Sequence, residues 1–544
     1  MEKWMRLFGM SLLFSVLWLN SADAKDRTVA LYSINHLQSQ LLPIEVGEQR
    51  VRRFLGGLSQ AAGVVQRDRE KYDNSIFFTT GEVLAGKLWR YFRGEPEMRA
   101  LLEAGVAVNT LGKHEFDYGV GYLKTALSYN DLPIVISNIV TQDPVLLSRL
   151  RKTLILDAGS VRVGFFGLLS PRVMRTTAKP EGVSFDPDLN TIARAMVEEL
   201  RKEGAELIVL LSGLYESENI ALAESVAGVH VISGCGIPEK GQRDLFYVTG
   251  PDGGQTAVTW SGERAQFVGR LQVVLSGGKL DEKRTNWKLL PVGDRTSPHH
   301  KVLETATKYE QKLAQSLGRV IGRAERIIDA RKKTLRNGEA PIGNFIADGI
   351  RWKVSADVAL LNGGGIRSDR IYPAGDVKEQ VLAELLPYGD RLCSLTLTGR
   401  DLRWALEVSA SALVGAHEKD FNPDVRLHSG SFLQVSGLQV VYDLTAPPTL
   451  MKDGFVETLG SRLKSLSVLR DGEWREVRDD ETYTVAVSSW MAGGGGGGKY
   501  TVLRDAPRVD VDCLDTEAFI EYFKVACRGR AALQRDGRIT VTGR

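Results

Sequence analysis

Gly112-Lys113-His114-Glu115-Phe116-Asp117 follows an apolar run from Gly105 to Leu111. A buried strand that ends in a glycine turn and then offers His, Glu and Asp has the layout of a catalytic edge at the carboxyl end of a sheet strand. A polar loop whose acids merely solvate it would look the same, and residue types alone leave both open. Working outward, short apolar runs at Thr28 to Leu31, Ser75 to Phe78, Val106 to Leu111, Ile134 to Ile139, Val161 to Leu168, Leu207 to Leu211 and Val229 to Ile232 alternate with helix-like stretches. That alternation predicts a layered α/β architecture with ligand groups beyond the strand ends.

The hexapeptide resembles the Gly-Asn-His-Glu-Phe-Asp motif of bacterial periplasmic 5'-nucleotidases, a two-domain branch of the calcineurin-like metallophosphoesterases, and further matching stretches run along nearly the whole chain. The resemblance implies an α/β and α+β protein: an N-terminal αββα metallophosphoesterase-like sandwich over residues 25–296, a linker helix over 297–317 that serves as the hinge, and a C-terminal α+β 5'-nucleotidase substrate-binding domain over 318–544. It also implies a divalent metal, zinc or manganese, and hydrolysis of nucleotide phosphate esters. One position departs. Where the family places a metal-binding Asn stands Lys113, and a charged ammonium donates but cannot accept, so it is no metal ligand.

The 544 residues are 43% hydrophobic and 25% charged, with a formal net charge of +3. That is an ordinary globular composition for two or three domains, and the small charge argues against a nucleic-acid-coating role. Lys3 and Arg6 precede the apolar run Leu7 to Leu19 and then Ala22-Asp23-Ala24, the pattern of a secretory signal peptide, residues 1–24, cleaved after Ala24. The run is too short to span a bilayer as a helix, and no later stretch offers a membrane anchor. The expectation is a secreted protein, periplasmic if the family's bacterial setting holds. Four cysteines suit that compartment, with Cys513 and Cys527 placed to close one loop and Cys235 and Cys393 unpaired. Ser297 to Ser316, carrying Leu303, Tyr309 and Leu313 after the break at Pro298, fits one amphipathic helix. Strand-like pieces follow at Val358 to Leu361, Leu392 to Leu397, Leu438 to Tyr442 and Thr482 to Val487.

A dinuclear phosphoesterase holds two divalent ions about 3.5–4 Å apart with clustered carboxylates and imidazoles. The family's Asn-Asp-x-His falls on Asn35-His36-Leu37-Gln38, its bridging Gly-Asp on Gly81-Glu82, its Ser-His-x-Gly on Ser212-Gly213-Leu214-Tyr215, and its Gly-His-x-His on Gly234-Cys235-Gly236-Ile237. Most ligand positions are thus substituted. Of 7 histidines, only His36, His114 and His230 serve the first domain. What survives is the pair His114 and Asp117, which in the family stabilises the transferring phosphate. Lys113 admits two roles: a fixed cation in the vacated metal volume that keeps Glu82, Glu115 and Asp117 ionised, or a solvated loop lysine. A remodelled single-metal site from His36, Glu82, His114 and Cys235 would suit zinc, which takes N, S and O ligands.

The second half matches more closely. Pro341-Ile342-Gly343-Asn344-Phe345-Ile346-Ala347-Asp348 resembles the family's helix-opening motif, and Asn362-Gly363-Gly364-Gly365-Ile366-Arg367 its substrate loop, followed by Leu386-Pro387-Tyr388-Gly389 and Phe432-Leu433-Gln434-Val435-Ser436-Gly437. A strand ending in three glycines lets backbone N–H groups converge on an anion, and Arg367 adds a planar charged fork. This makes Asn362, Gly364 and Arg367 substrate-binding candidates. The resemblance adds Phe432 and Tyr500 as the two rings that sandwich a nucleobase, and Arg336 as a further phosphate contact. The plainer alternatives are a core Phe432, a surface Tyr500 and a solvated Arg336 in the basic run Arg331 to Arg336. The family's Gly-Gly-Asp-Gly loop has become Gly493 to Gly498, six glycines without the ribose-contacting Asp, which raises the entropy lost on ordering. Three functions follow in order of fit: a family member that binds a nucleotide-like or other phosphorylated small molecule, or a protein partner, with impaired or lost hydrolysis; an active nucleotide phosphohydrolase with a rebuilt metal site; and an interaction scaffold that binds no small ligand.

Overall fold

A computed structural model describes residues 26–46, 53–172, 182–234, 245–415, 429–452, 455–495 and 499–543. The signal-like segment 1–24 and Cys235 lie outside the described residues, as does part of the glycine run. The chain divides into two compact units, one running to Tyr309 and one from Glu310 onward, residues 117–119 being grouped with the second. The division falls within the helix His300–Gly318.

Two sheets form the first unit. In one, the strand Arg27–Ile34 lies between Phe267–Ser276, antiparallel, and Ser75–Thr79, parallel. The other runs in the order Leu245–Thr249, Gln255–Thr259, Val231–Gly234, Leu207–Gly213, Val161–Leu169, Thr153–Ala158. The apolar runs are continuous because both faces of each central strand are covered. Val161, Val163 and Phe165 with Leu207, Val209 and Leu211 meet Val29, Leu31, Phe78, Leu271 and Val273 between the sheets. The alternate residues Phe166, Leu168, Ile208 and Leu210 pack outward on Ala193, Met196, Val197 and Leu200 of the helix Leu189–Lys202 and on Leu222 of Glu216–Ser225. Leu58–Asp68 packs against Phe267–Ser276 of the first sheet, so the layers run helix, sheet, sheet, helix. Val106 to Leu111 makes only single bridges, Phe78 to Val108 and Asn109 to Ile134, rather than a full strand.

The second unit is α+β. A five-stranded sheet runs Leu433–Ser436, Val358–Asn362, Thr482–Ser488, Arg391–Thr398, Arg508–Leu514, and a four-stranded sheet runs Glu473–Glu476, Leu463–Arg470, Leu438–Asp443, Ile539–Thr542. One face of the five-stranded sheet packs with the helix Gly399–Ala410, opened by a Thr398–Asp401 capping box, and the other with Pro341–Val354 and Asp515–Glu521. Cys393, Cys513 and Cys527 are free thiols, so the expected Cys513–Cys527 bridge is absent. No helix among the described residues is long and apolar enough to cross a membrane.

Candidate functional site

In the first unit the loops after Arg27–Ile34 and Ser75–Thr79, and the turn His114–Phe116, come together. His36, Gln38, Ser39 and Glu82 all have positive φ, from 50° to 55°, a conformation that costs non-glycine residues energy and clusters at functional sites. The two loops fix each other through Gln38 N–H to Glu82 C=O at 2.9 Å and Ser39 N–H to Val83 C=O at 2.7 Å. Asn35 is spent on structure: its amide donates to Thr80 Oγ1 at 2.8 Å and accepts from Ser261 N–H at 2.8 Å.

Glu115 is also structural. Its buried carboxylate accepts N–H groups from Val83 at 2.7 Å, Gly112 at 2.8 Å, Leu84 at 3.1 Å and Glu82 at 3.2 Å. Burial raises its pKa, and these bonds to the anion oppose that rise. Glu82 is only 4% exposed. Its Oε1 accepts the Lys113 backbone N–H, while its Oε2 has no hydrogen-bond partner and lies 3.4 Å from His114 Nε2. Burial first, and the Glu115 charge second, push the Glu82 carboxyl up to about 7, with the His114 imidazole the leading opposing influence. His36 and His114 meet edge to face, ring centroids 6.0 Å apart. Gln38 Nε2 donates to His36 Nε2 at 2.7 Å while Gln38 Oε1 accepts from Arg264 at 3.3 Å.

In the second unit a cavity of about 540 Å³ is lined by Lys332, Lys333, Arg336, Asn337, Arg367 and Ser429. Four of the six are cations and none is an acid. Arg336 is buried at 7% exposure, its Nε has no hydrogen-bond partner, and burial together with the neighbouring Arg367 charge lowers its pKa. The short helix Lys332–Leu335 is anchored by Asp329, which pairs with Arg331 at 2.6 Å and accepts from Thr334 Oγ1 at 2.9 Å. Arg367 stands over the Tyr388 ring at 5.3 Å.

Residues 320–505 match the family described as the 5'-nucleotidase C-terminal domain. Along the chain, the trifunctional nucleotide phosphoesterase YfkN of Bacillus subtilis strain 168 is 25% identical over 84% of this chain, which spans about a third, 32%, of that longer protein. The crystal structure of a 5'-nucleotidase precursor from Thermus thermophilus is 26% identical, covers 95% of this chain and 100% of its own, and superposes with a TM-score of 0.57. The chain thus carries a 5'-nucleotidase C-terminal domain and is similar to 5'-nucleotidases along most of its length. The NAD nucleotidase of Haemophilus influenzae, 18% identical over 95% of this chain and 99% of its own with a TM-score of 0.60, shares the fold.

The 5'-nucleotidase fold therefore carries a site unlike the one the resemblance implies. The two-ion donor set does not fit here. Gly213 stands where the family has an imidazole, and a Cβ there would meet Leu169 Cδ1 at 2.6 Å. Among the described residues, one group of His, Cys, Asp or Glu brings its ligand atoms within 4.8 Å of one another: His36, Glu82 and His114. His114 belongs to the first unit, and Asp117 to the three residues grouped with the second. Lys113 reaches Glu82 through its backbone N–H, and its charge adds to that of the nearer His114 imidazole in opposing the rise of the Glu82 carboxyl.

Three further expectations for the nucleotidase C-terminal domain need correction. The N–H groups of the glycine loop are spent internally, Gly363 on Phe432 C=O at 2.7 Å, Gly364 on Gly430 C=O at 2.8 Å and Gly365 on Asn362 C=O at 2.9 Å, so they are not directed at an anion. The glycines serve close approach: a Cβ on Gly364 would stand 2.7 Å from Gly430 O. Asn362 is buried at that loop's root. Phe432 and Tyr500, 0% and 2% exposed, are members of the core rather than an open stacking pair, Phe432 lying edge to face with Tyr442 at 6.4 Å and Tyr500 donating to Ser431 C=O at 2.5 Å. Arg336 is not a solvated charge but a buried cavity wall. Lys332 and Lys333 were missed as cavity residues; the signal was the basic run itself, whose short helix and the Arg336 that follows it put three charges on the cavity wall.

Proposed function

We propose that this 5'-nucleotidase-family protein is exported to the bacterial periplasm, binds a phosphorylated, nucleotide-like ligand in the basic cavity of its C-terminal unit, and has lost the family's two-ion hydrolysis. The observation that carries the first part is Arg336. A guanidinium taken out of water beside a second one, Arg367, with an unpartnered Nε, is a costly arrangement, and a phosphate supplies the acceptors and the charge that offset it. Lys332 and Lys333 widen the anionic reach beyond one phosphate oxygen set. The second part rests on the substituted ligand positions Gln38, Lys113 and Gly213, which leave no second set of donors among the described residues.

Isothermal titration of the mature full chain with AMP, ADP and inorganic phosphate tests the reading. Saturable binding to the wild type, weakened about 10- to 100-fold in Arg336→Met, is the worth of one charge-assisted hydrogen bond. Absence of heat with all three ligands would leave the scaffold alternative standing. Phosphate release at rates above a no-protein control, with added Mn²⁺ or Zn²⁺, would overturn the loss of hydrolysis.

A further inference from the structure

We propose that His36, Glu82 and His114 form a mononuclear divalent-cation site of the zinc type, one ion where the family holds two. Their ligand atoms already lie within 4.8 Å of one another. Donors on a tetrahedral zinc at about 2.0–2.1 Å stand about 3.4 Å apart, and Glu82 Oε2 is 3.4 Å from His114 Nε2. Two imidazoles and one carboxylate are a donor set that zinc accepts, with a fourth position left for water.

An independent observation points the same way. Glu82 is 4% exposed and its Oε2 has no hydrogen-bond partner. A buried carboxylate oxygen is costly without a partner. Its other oxygen is held by the Lys113 N–H, so Oε2 alone is presented, as a monodentate ligand. The backbone is built for it. His36 and Glu82 both sit in the left-handed region, in loops cross-bonded at 2.9 and 2.7 Å, so the backbones that carry these two donors are fixed relative to each other and only side chains need adjust to an ion. Gln38, which donates to His36 Nε2 at 2.7 Å, yields that nitrogen to the ion or leaves the ring to bind through its other one. The ion would supply a Lewis acid at this edge of the sheet.

The site is independent of the phosphate-binding reading, and its test separates the two. The mature chain is purified without chelator or affinity nickel and its metal content measured by elemental mass spectrometry. Metal-stripped protein is then reloaded with Co²⁺ and its visible absorption recorded. Near one ion per chain and the intense d–d bands of four-coordinate cobalt are expected. Glu82→Gln, close in shape, and His36→Ala should each weaken cobalt at least about 100-fold, beyond the effect of an outer-sphere partner, while Arg336→Met leaves it unchanged. Should either variant fold poorly, the reloaded wild type decides, since Zn²⁺ binding to the native state must raise its urea midpoint. No cobalt bands and no zinc stabilisation in the wild type would overturn the proposal. So would two ions per chain, or a folded Glu82→Gln that binds as tightly as wild type.

Discussion

Gly112 leaves room for Glu82: a Cβ on Gly112 would stand 2.6 Å from Glu82 Cγ. The glycine that opens the hexapeptide is therefore required by a side chain thirty positions away in another loop. Gly112→Ala forces the Glu82 carboxylate off the Lys113 N–H and overpacks a closed site. The expected cost is about 1–3 kcal/mol, read as a lower urea midpoint at unchanged slope.

Gly213 is closed in the opposite sense. A Cβ there meets Leu169 Cδ1 at 2.6 Å and Leu168 O at 3.2 Å, so an imidazole enters only by displacing the Leu169 side chain and pressing on the Leu168 carbonyl. The double substitution Lys113→Asn, Gly213→His is expected to release no phosphate from AMP in the presence of Mn²⁺, and to lower stability by about 1–3 kcal/mol through overpacking. Full hydrolysis in that variant would show that two positions, rather than the whole donor set, silenced the site.

Arg336 couples binding to instability. Its guanidinium is buried beside Arg367 and its Nε is unpartnered, so Met at this position removes a desolvated like charge while filling the same volume. Ligand-free Arg336→Met is expected to be about 1 kcal/mol or more stabler than wild type, although it binds phosphate more weakly. Denaturant melts with and without inorganic phosphate check both signs on one sample.

Phe432 separates a core ring from a stacking one. It is fully buried with Tyr442, Leu433 and Val435, so Phe432→Ala is expected to cost about 3–5 kcal/mol in the absence of any ligand. A loss of nucleotide affinity with stability within about 1 kcal/mol of wild type, on the order of a surface change, would restore the stacking role.

The contrast between Val209 and Phe432 shows what the sequence could carry. Val209 lies in a run where Leu207, Val209 and Leu211 face one core and Ile208 and Leu210 another, and a continuous apolar strand is legible because both faces demand the same residue type. Phe432, by contrast, opens a motif that reads identically whether its ring turns inward or outward, since χ1 is not written in the residue name. Glycines raise the same difficulty. Gly363 to Gly365 signal close approach, but whether to a phosphate or to the Gly430 and Phe432 carbonyls depends on a segment some seventy residues away. Lys113 is legible as a counter-charge by proximity in sequence, but only the tertiary turn shows that His114 Nε2 also stands against the Glu82 carboxylate and outweighs it. Gln38, Lys113 and Gly213, substitutions of chemistry rather than of conformation, were legible without any coordinates.

His230 sets an acid limit on the first unit. Its Nδ1 accepts the Ile208 N–H at 2.9 Å and its Nε2–H donates to Gly278 C=O at 3.1 Å. Protonation would put a second donor against the Ile208 N–H, and burial, the leading cause, holds the ring's pKa below its ordinary 6.5, with only the Gly278 bond and the Asp252 charge opposing and the Arg201 charge adding to the depression. Below pH 6.5 the unfolded chain therefore binds a proton that the folded chain excludes. Stability is fully present above that pH and falls with acidification, by at most about 1.4 kcal/mol per pH unit from this group, until the folded pKa is reached. Asn at position 230 keeps an acceptor for the Ile208 N–H without a titrating ring. Urea midpoints measured between about pH 5 and 8, the range in which a histidine changes charge, should fall more steeply toward acid in wild type than in His230→Asn, and equal slopes for the two proteins would place the acid sensitivity elsewhere.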